Sequence, residues 1–420
     1  MERQYLDLPI APPDIAFGLM AKYDADTHPN KVSLIAGAYR DENGSPWVLP
    51  SVEQAKSRLS QAPPTHEYLP IAGSPTFLDL AQTLIFGKHL AATMQDQIAC
   101  IQTVSGTGAN HLAASFLAAH LRPQHVFIPA PTWVNHKAIW ATTSVPQIDY
   151  PYYSPTTRGL DLEGMCAVLD EHAAPNDVII LQACAHNPTG VDLTRAQWQT
   201  LLEVVRRRRL FVVFDSAYQG FATGDVDGDA WAVRYFAEQL LATGQEEGRQ
   251  HPGLCVAQSF SKNFGLYGER VGALHLVVPR GMGVEGARSQ LVGMARAEYS
   301  NPPRFGATIV ETVLGDSNSR AQWEQDLRTM SACIARMRSA LRSRLELNGT
   351  PGDWSHVEKQ IGMFSYTGLA REQVARLQEE YHIYLLPSGR VSICGLTDGN
   401  VDYVADAIRD VVSGRREASA

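Results

Sequence analysis

The middle of the chain alternates two patterns. Short runs of apolar, often β-branched residues (Val126–Pro129, Val178–Cys184, Leu210–Phe214, Leu254–Ser259 and Gly272–Val278) have the length of strands. Stretches with helical spacing of apolar positions, such as Asp161–Glu171 and Arg195–Arg207, lie between them. A strand apolar at successive positions must be covered on both faces, so the alternation predicts an α/β layer fold with a mostly parallel sheet. After about Ala321 the character changes. A long charged helical pattern, Ala321–Leu347, gives way to Gly and Pro punctuation and then to strand-like Met363–Tyr366 and Ile383–Leu386. This part reads as a second domain, joined by the N-terminal arm. Leu241–Gly253 reads as a solvated surface loop, and no internal repeat is present.

Several strand patterns run directly into polar clusters. One enters Ala185-His186-Asn187-Pro188-Thr189-Gly190, the next Asp215-Ser216-Ala217-Tyr218, and the next Ser259-Phe260-Ser261-Lys262. A single Asn or Asp at a strand end is usually a turn or cap residue. Clusters on successive strands are different, because ligands of open α/β sheets bind beyond the carboxyl ends of the strands. These clusters are expected to share one site.

Composition narrows the function classes. A chain of 420 residues can hold two or three cores, and its 45% hydrophobic and 19% charged content is that of a globular protein. The net charge of −8 argues against a nucleic-acid partner, whose phosphates demand a basic footprint. The basic run Arg206–Arg209 reads as the polar end of a helix before the strand Leu210–Phe214. The apolar runs are too short to span a bilayer. Six scattered cysteines contain no Cys-x-x-Cys pair, so buried free thiols are expected and no metal site is. The N-terminus lacks the marks of a secretory signal or transit peptide, and cytoplasm is the expected location.

The segment Ser259-Phe260-Ser261-Lys262-Asn263-Phe264-Gly265-Leu266-Tyr267, followed by Glu269-Arg270-Val271-Gly272, resembles the cofactor-lysine segment of aspartate aminotransferases of fold type I, cytosolic type. Ser-x-Ser-Lys alone is weak. Gly37-Ala38-Tyr39-Arg40, Pro46-Trp47-Val48-Leu49-Pro50, His66-Glu67-Tyr68-Leu69-Pro70, Ala185–Gly190, Ser300-Asn301-Pro302-Pro303 and Leu386-Pro387-Ser388-Gly389-Arg390 follow the family's order across nearly the whole chain. The loop at Leu241–Gly253 is longer than usual. The resemblance implies a large domain over 46–325 with a mostly parallel central sheet, and a smaller α+β domain from 1–45 and 326–420. It also implies a homodimer, with amino acids and 2-oxo acids as substrates.

What the resemblance implies chemically can be assigned residue by residue. Pyridoxal 5′-phosphate is an electron sink that the protein must bind, aim and tune. Lys262 would form the Schiff base and then shuttle a proton. Asp215 would face the pyridine nitrogen and keep it charged, with His136 supporting it. Asn187 and Tyr218 would bond the ring's phenolic oxygen, and Trp133 would stack on the ring. Ser105, Gly106 and Thr107 precede the helical pattern Ala109–Leu121, so their N–H groups can meet a phosphate. Arg270, Ser259 and Ser261 join that set, and Tyr68 would reach the phosphate from the neighbouring subunit. Arg390 would grip the substrate α-carboxylate with a fork that lysine cannot copy. Arg296 would hold the distal carboxylate across the dimer, although alone it reads as a solvated helix residue. Gly37 and Phe364 would line the same pocket.

The chain departs from the family's pattern at Ala36, Asn110, His111, Gln182, Gly268 and Tyr299; Gln182 stands where a histidine usually backs the cofactor-binding aspartate. None removes a catalytic group, and such changes can retune specificity. The expected reaction is ping-pong exchange between aspartate, or a similar acidic amino acid, and 2-oxoglutarate. A lyase, decarboxylase or C–C bond-forming reaction on the same cofactor is the alternative, and a binding protein on a retired enzyme fold is a distant third.

Overall fold

The computed structural model describes residue 8 and residues 10–35, 37–42, 44–242 and 251–414. Its centre is a seven-stranded sheet built from β1 (Ile98–Val104), β2 (Val126–Ala130), β3 (Gln147–Pro151), β4 (Val178–Gln182), β5 (Phe211–Ser216), β6 (Leu254–Ser259) and β7 (Val271–Val277). Their spatial order is β1-β7-β6-β5-β4-β2-β3. All neighbouring pairs are parallel except those made by β7, which runs antiparallel to both β1 and β6.

The unbroken apolar runs follow from coverage on both faces. Along β4 and β5, Ile179, Leu181, Val212 and Phe214 enter one core with Leu201, Leu202, Val205 and Phe236. Their sequence neighbours Val178, Ile180, Phe211 and Val213 enter another, with Leu112, Ala113 and Leu117 of the helix Ser105–His120. Period-two geometry sorts consecutive residues to opposite faces, and both faces are dry.

Strand boundaries differ slightly from the sequence pattern. Pairing on β4 stops at Gln182 rather than Cys184, and its last ladder bond runs from the Ala183 N–H to the Asp215 carbonyl. β5 continues through Asp215 and Ser216, so Asp215 sits on the strand and not after it. β1 and β3 escaped the sequence pattern altogether. β1 carries Cys100, Gln102 and Thr103 in a largely buried strand, and polar residues mask its period.

A third apolar cluster holds the long helix Ser317–Leu347, which begins four residues before the expected Ala321 because Asp316 accepts from the Ser319 N–H at 2.8 Å. Trp323, Leu327, Met330, Ile334, Met337, Leu341 and Leu345 form its buried stripe and pack with Val404, Ile408 and Val411 of the helix Val401–Val412. The same cluster includes Tyr218, Phe260 and Phe264, so the long helix also braces the Lys262 loop. Trp323 stacks on Phe264 at 4.8 Å and donates Nε1 to the Asn263 carbonyl at 2.8 Å.

The expected solvated loop at Leu241–Gly253 needs correction at its ends. Leu241, His251 and Gly253 are buried, and residues 243–250 lie outside the described residues. The basic run behaves as expected: Arg207 and Arg208 pair with Asp170, and Arg206 with Glu203. All six cysteines are free.

Candidate active site

The carboxyl ends of β4, β5 and β6 open on a cavity of about 340 Å³. Its wall brings together Ser105, Gly106, Thr107, Trp133, Asn187, Asp215, Tyr218, Ser259, Lys262 and Arg270. These residues come from five separated stretches of sequence, and the strand order places them side by side.

Lys262 is half-buried against this cavity, with Nζ 5.6 Å from the centre of the Tyr218 ring. Burial pushes its amine below the ordinary lysine range; Asp215 pulls it back up and Arg270 pushes it further down. An amine so placed gives up its proton more readily than a surface lysine. Burial, with Asp215 adding to it, holds the Tyr218 hydroxyl protonated well above its usual range. Asp215, 7% exposed, has Oδ2 at 3.0 Å from His136 Nε2, and His136 Nδ1 lies 2.7 Å from Thr132 Oγ1. The Trp133 ring meets the His136 ring edge-on at 5.4 Å.

The opposite end of the cavity gathers donors. The helix Ser105–His120 starts at Ser105, so Ser105, Gly106 and Thr107 form its first turn rather than a preceding loop. The N–H groups of that turn have no partners further back in the helix. Ser105 Oγ lies 2.9 Å from Ser261 Oγ and 3.4 Å from Ser259 Oγ. Arg270 Nη1 donates to the Tyr267 carbonyl at 3.0 Å and to Ser261 Oγ at 3.4 Å. Ser105 and Arg270 both take left-handed φ, 62° and 55°, and the Ser105 N–H donates to the Arg270 carbonyl at 3.1 Å. Strain of about 1–3 kcal/mol per residue is typical of such positions and gathers at functional sites. Gly272 permits the arrangement, since a Cβ there would collide with the Ser105 backbone.

Arg390 reaches the same region from the antiparallel pair formed by Phe364–Tyr366 and Arg390–Ser392. Its guanidinium lies 4.3 Å above the Phe364 ring, donates Nη2 to the Ile35 carbonyl at 2.8 Å, and places Nη1 at 3.5 Å from Asn187 Oδ1. Its Nε is buried and has no partner among the described residues. A planar donor held by a ring and a carbonyl, with capacity left over, is built for a carboxylate. Gly37 meets the Phe364 ring so closely that an added Cβ would lie 2.9 Å from Cζ.

His136, Ser261, Arg390, Phe364 and Gly37 adjoin this cavity without lining it, and two expected site residues, Tyr68 and Arg296, lie away from it. Tyr68 is 79% exposed. Arg296 lies on the exposed side of the helix Val284–Glu298, where Nη1 donates to Ser300 Oγ at 2.5 Å. Gln182 departs from the expected support of Asp215: its carboxamide bonds the Asn187 backbone instead. Among the other departures, Asn110 donates to the Gly106 carbonyl at 2.9 Å, His111 Nδ1 lies 3.0 Å from Glu298 Oε1, and Tyr299 donates to the Gln102 carbonyl at 2.8 Å. Gly268 is exposed, and Ala36 lies outside the described residues.

Four residues at the site escaped the sequence reading. Thr132 sits four before His136, a spacing that could have exposed it. Asn135 and Ala217 adjoin residues already singled out. Phe17, on the helix Ile15–Ala25, reaches the cavity although it is 71% exposed, and no local signal marks it.

The family model for aminotransferases of class I and II matches residues 29–408. An L-tyrosine:2-oxoglutarate aminotransferase of Aspergillus ustus is 46% identical over 94% of this chain and 76% of that protein. The cytoplasmic aspartate aminotransferase of Saccharomyces cerevisiae is 42% identical over 97% of this chain and 96% of its own. The solved structure of the Saccharomyces cerevisiae enzyme superimposes with a TM-score of 0.93, covering 98% of this chain and 99% of that one. An aromatic-amino-acid aminotransferase from Burkholderia pseudomallei, covalently bound to pyridoxal phosphate, superimposes with a TM-score of 0.91 at 39% identity, covering 97% and 99%.

Proposed function

Because the chain belongs to the class I and II aminotransferases, we propose that it transfers the amino group of aspartate, or a similar acidic amino acid, to 2-oxoglutarate with pyridoxal 5′-phosphate. The observation that carries this reading is the meeting of the Lys262 amine, its proton affinity lowered by burial, and the His136-backed Asp215 carboxylate in one cavity, with Arg390 at its edge.

The residues fit the cofactor at every polar point. The helix start at Ser105–Thr107, the Ser259 hydroxyl and the Arg270 guanidinium suit a phosphate dianion. Asp215 suits a protonated ring nitrogen, Trp133 a ring face, and Asn187 with Tyr218 a phenolic oxygen. When bound, the cofactor supplies an electron sink for the carbanion formed at the substrate α-carbon. Lys262 then holds or releases a proton at Nζ, helped by the burial that lowers its proton affinity. Asp215 would keep the bound cofactor's ring nitrogen protonated, and Arg390 would orient the substrate by its α-carboxylate.

We also propose a homodimer in which Tyr68 and Arg296 serve the neighbouring subunit's site. Their exposure away from their own cavity supports this. The proposed large domain spans 46–325 and the small one 1–45 with 326–420, supported by the packing of Met330, Ile334, Met337 and Leu341 with Val404, Ile408 and Val411. A cytoplasmic location is supported by relatives named cytoplasmic.

A second reading, an aromatic amino donor, draws on the relative named an L-tyrosine:2-oxoglutarate aminotransferase and on the Phe17, Trp133 and Phe364 rings at or beside the cavity. A panel of donors with 2-oxoglutarate, followed by cofactor absorbance, separates the two. Aspartate should turn over far faster than tyrosine, and Arg296→Asp should abolish the preference. Tyrosine turnover ahead of aspartate would install the second reading. Alanine formed from aspartate alone would mean β-decarboxylation.

A further inference from the structure

Gln182 ends β4 directly opposite Asp215 in the sheet register, and it is 6% exposed. Its carboxamide makes a two-point contact with one residue. Oε1 accepts from the Asn187 N–H at 2.8 Å, and Nε2 donates to the Asn187 carbonyl at 2.9 Å. The two bonds fix the peptide groups on either side of the Asn187 Cα, and with them the direction in which its side chain leaves the backbone. That side chain lines the cavity and sets Oδ1 3.5 Å from Arg390 Nη1, which leaves Nδ2 to donate into the cavity.

We propose that Gln182 is a positioning residue that aims the Asn187 amide at both the cofactor's ring oxygen and the Arg390 fork. The proposal rests on the reading of this cavity as the cofactor site. A carboxamide suits the task because its donor and acceptor lie side by side and can grip an N–H and a C=O of the same residue. A histidine, the residue usual here in the resembled family, points its two ring nitrogens apart and can serve only one of them.

The readout is the proton affinity of the Lys262 nitrogen in the loaded protein. A donor at the ring oxygen withdraws electron density and lowers that affinity, so misaiming Asn187 raises it. The charged and titratable groups facing Lys262 are Asp215, Arg270 and Tyr218. Substitution at 182 leaves these three side chains in the chain, and the comparison with Asn187→Ala and the double variant separates the Asn187 bond from any effect through Asp215, which Gln182 faces in the sheet.

The test titrates the absorbance of the bound cofactor with pH in the native protein, Gln182→Ala, Asn187→Ala and the double variant. Gln182→Ala should move the midpoint up by about half a pH unit, the scale of part of one hydrogen bond. Asn187→Ala should move it further in the same direction, and the double variant no further than Asn187→Ala. Gln182→Ala should also raise the KM of the amino donor about threefold to tenfold while kcat falls less. A midpoint moved by Asn187→Ala but not by Gln182→Ala overturns the positioning role and leaves the site reading standing. If neither substitution moves it, or no cofactor absorbance forms at all, the site reading fails as well. Should the alanine variant not fold, Gln182→His keeps one of the two bonds, and an unshifted midpoint there overturns the proposal equally.

Discussion

His136 Nε2 lies 3.0 Å from Asp215 Oδ2, and the ring's other nitrogen lies 2.7 Å from Thr132 Oγ1. Where the Asp215 carboxylate accepts from Nε2, the Thr132 hydroxyl can close the chain at Nδ1. The three residues hold a buried carboxylate in one orientation, where a lone buried charge would cost several kcal/mol. Asp215→Asn should therefore lower kcat by about 10²- to 10³-fold, the usual scale for removing one preorganised charge. Thr132→Ala leaves the carboxylate in place and should cost about tenfold or less. Single-turnover absorbance measurements with aspartate check both, and equal losses would show that the orientation matters as much as the charge.

How much of this could be read from the chain depends on the range over which each feature is fixed. β4, β5 and β6 were legible because burial on both faces leaves an unbroken apolar run, and their polar ends were legible because water-loving residues rarely follow such runs. β1 was not, since Gln102 satisfies its side chain through distant partners, the Pro303 carbonyl and the Ser74 N–H, and Thr103 turns its hydroxyl to the Ser105 carbonyl. Phe17 enters the site only because the helix Ile15–Ala25 docks there, through Leu19 against Ile35 and Tyr384. The Gln182 clamp was missed because its partner, five residues on, is a backbone and not a side chain. Family resemblance supplied the roles; the local pattern alone supplied only the convergence.

The Lys262 amine gives the cofactor-free protein a pH dependence of defined sign. Its folded pKa is depressed by burial, so between that value and the unfolded value near 10.5 the unfolded chain binds more protons. Stability then rises with pH across that window, and the penalty is fully present below it. Lys262→Met should flatten this rise relative to the native apoprotein. Urea unfolding at stepped pH from 7 to 10 measures it, and parallel slopes for the two proteins would contradict the buried-amine argument.

Trp323 ties the long helix Ser317–Leu347 to the lysine loop, through Phe264 and the Asn263 carbonyl. Trp323→Phe keeps most of the apolar volume but orphans that carbonyl, and should cost about 1–3 kcal/mol. Trp323→Ala adds a cavity and should cost about 3–5 kcal/mol. Thermal unfolding of the loaded protein tests the order. A Phe variant as damaged as the Ala variant would assign the stability to the hydrogen bond and not to packing.

The proposed sharing of sites between subunits predicts complementation. Lys262→Ala removes the reactive amine from its own cavity, while its Arg296 remains intact for a neighbour. Arg296→Asp does the reverse. Each homodimer should be inactive on aspartate, because both of its sites lack one essential group. A mixed dimer holds one site with neither substitution, formed by Lys262 of one subunit and Arg296 of the other. Co-expression with two affinity tags, then sequential purification, isolates that species, and aspartate turnover should reappear in it alone. If Arg296 acted within its own chain, every site in the mixed dimer would carry a defect and the activity would stay absent. Recovery of tyrosine turnover in the Arg296→Asp homodimer, with aspartate turnover lost, would further locate the charge that selects the acidic side chain.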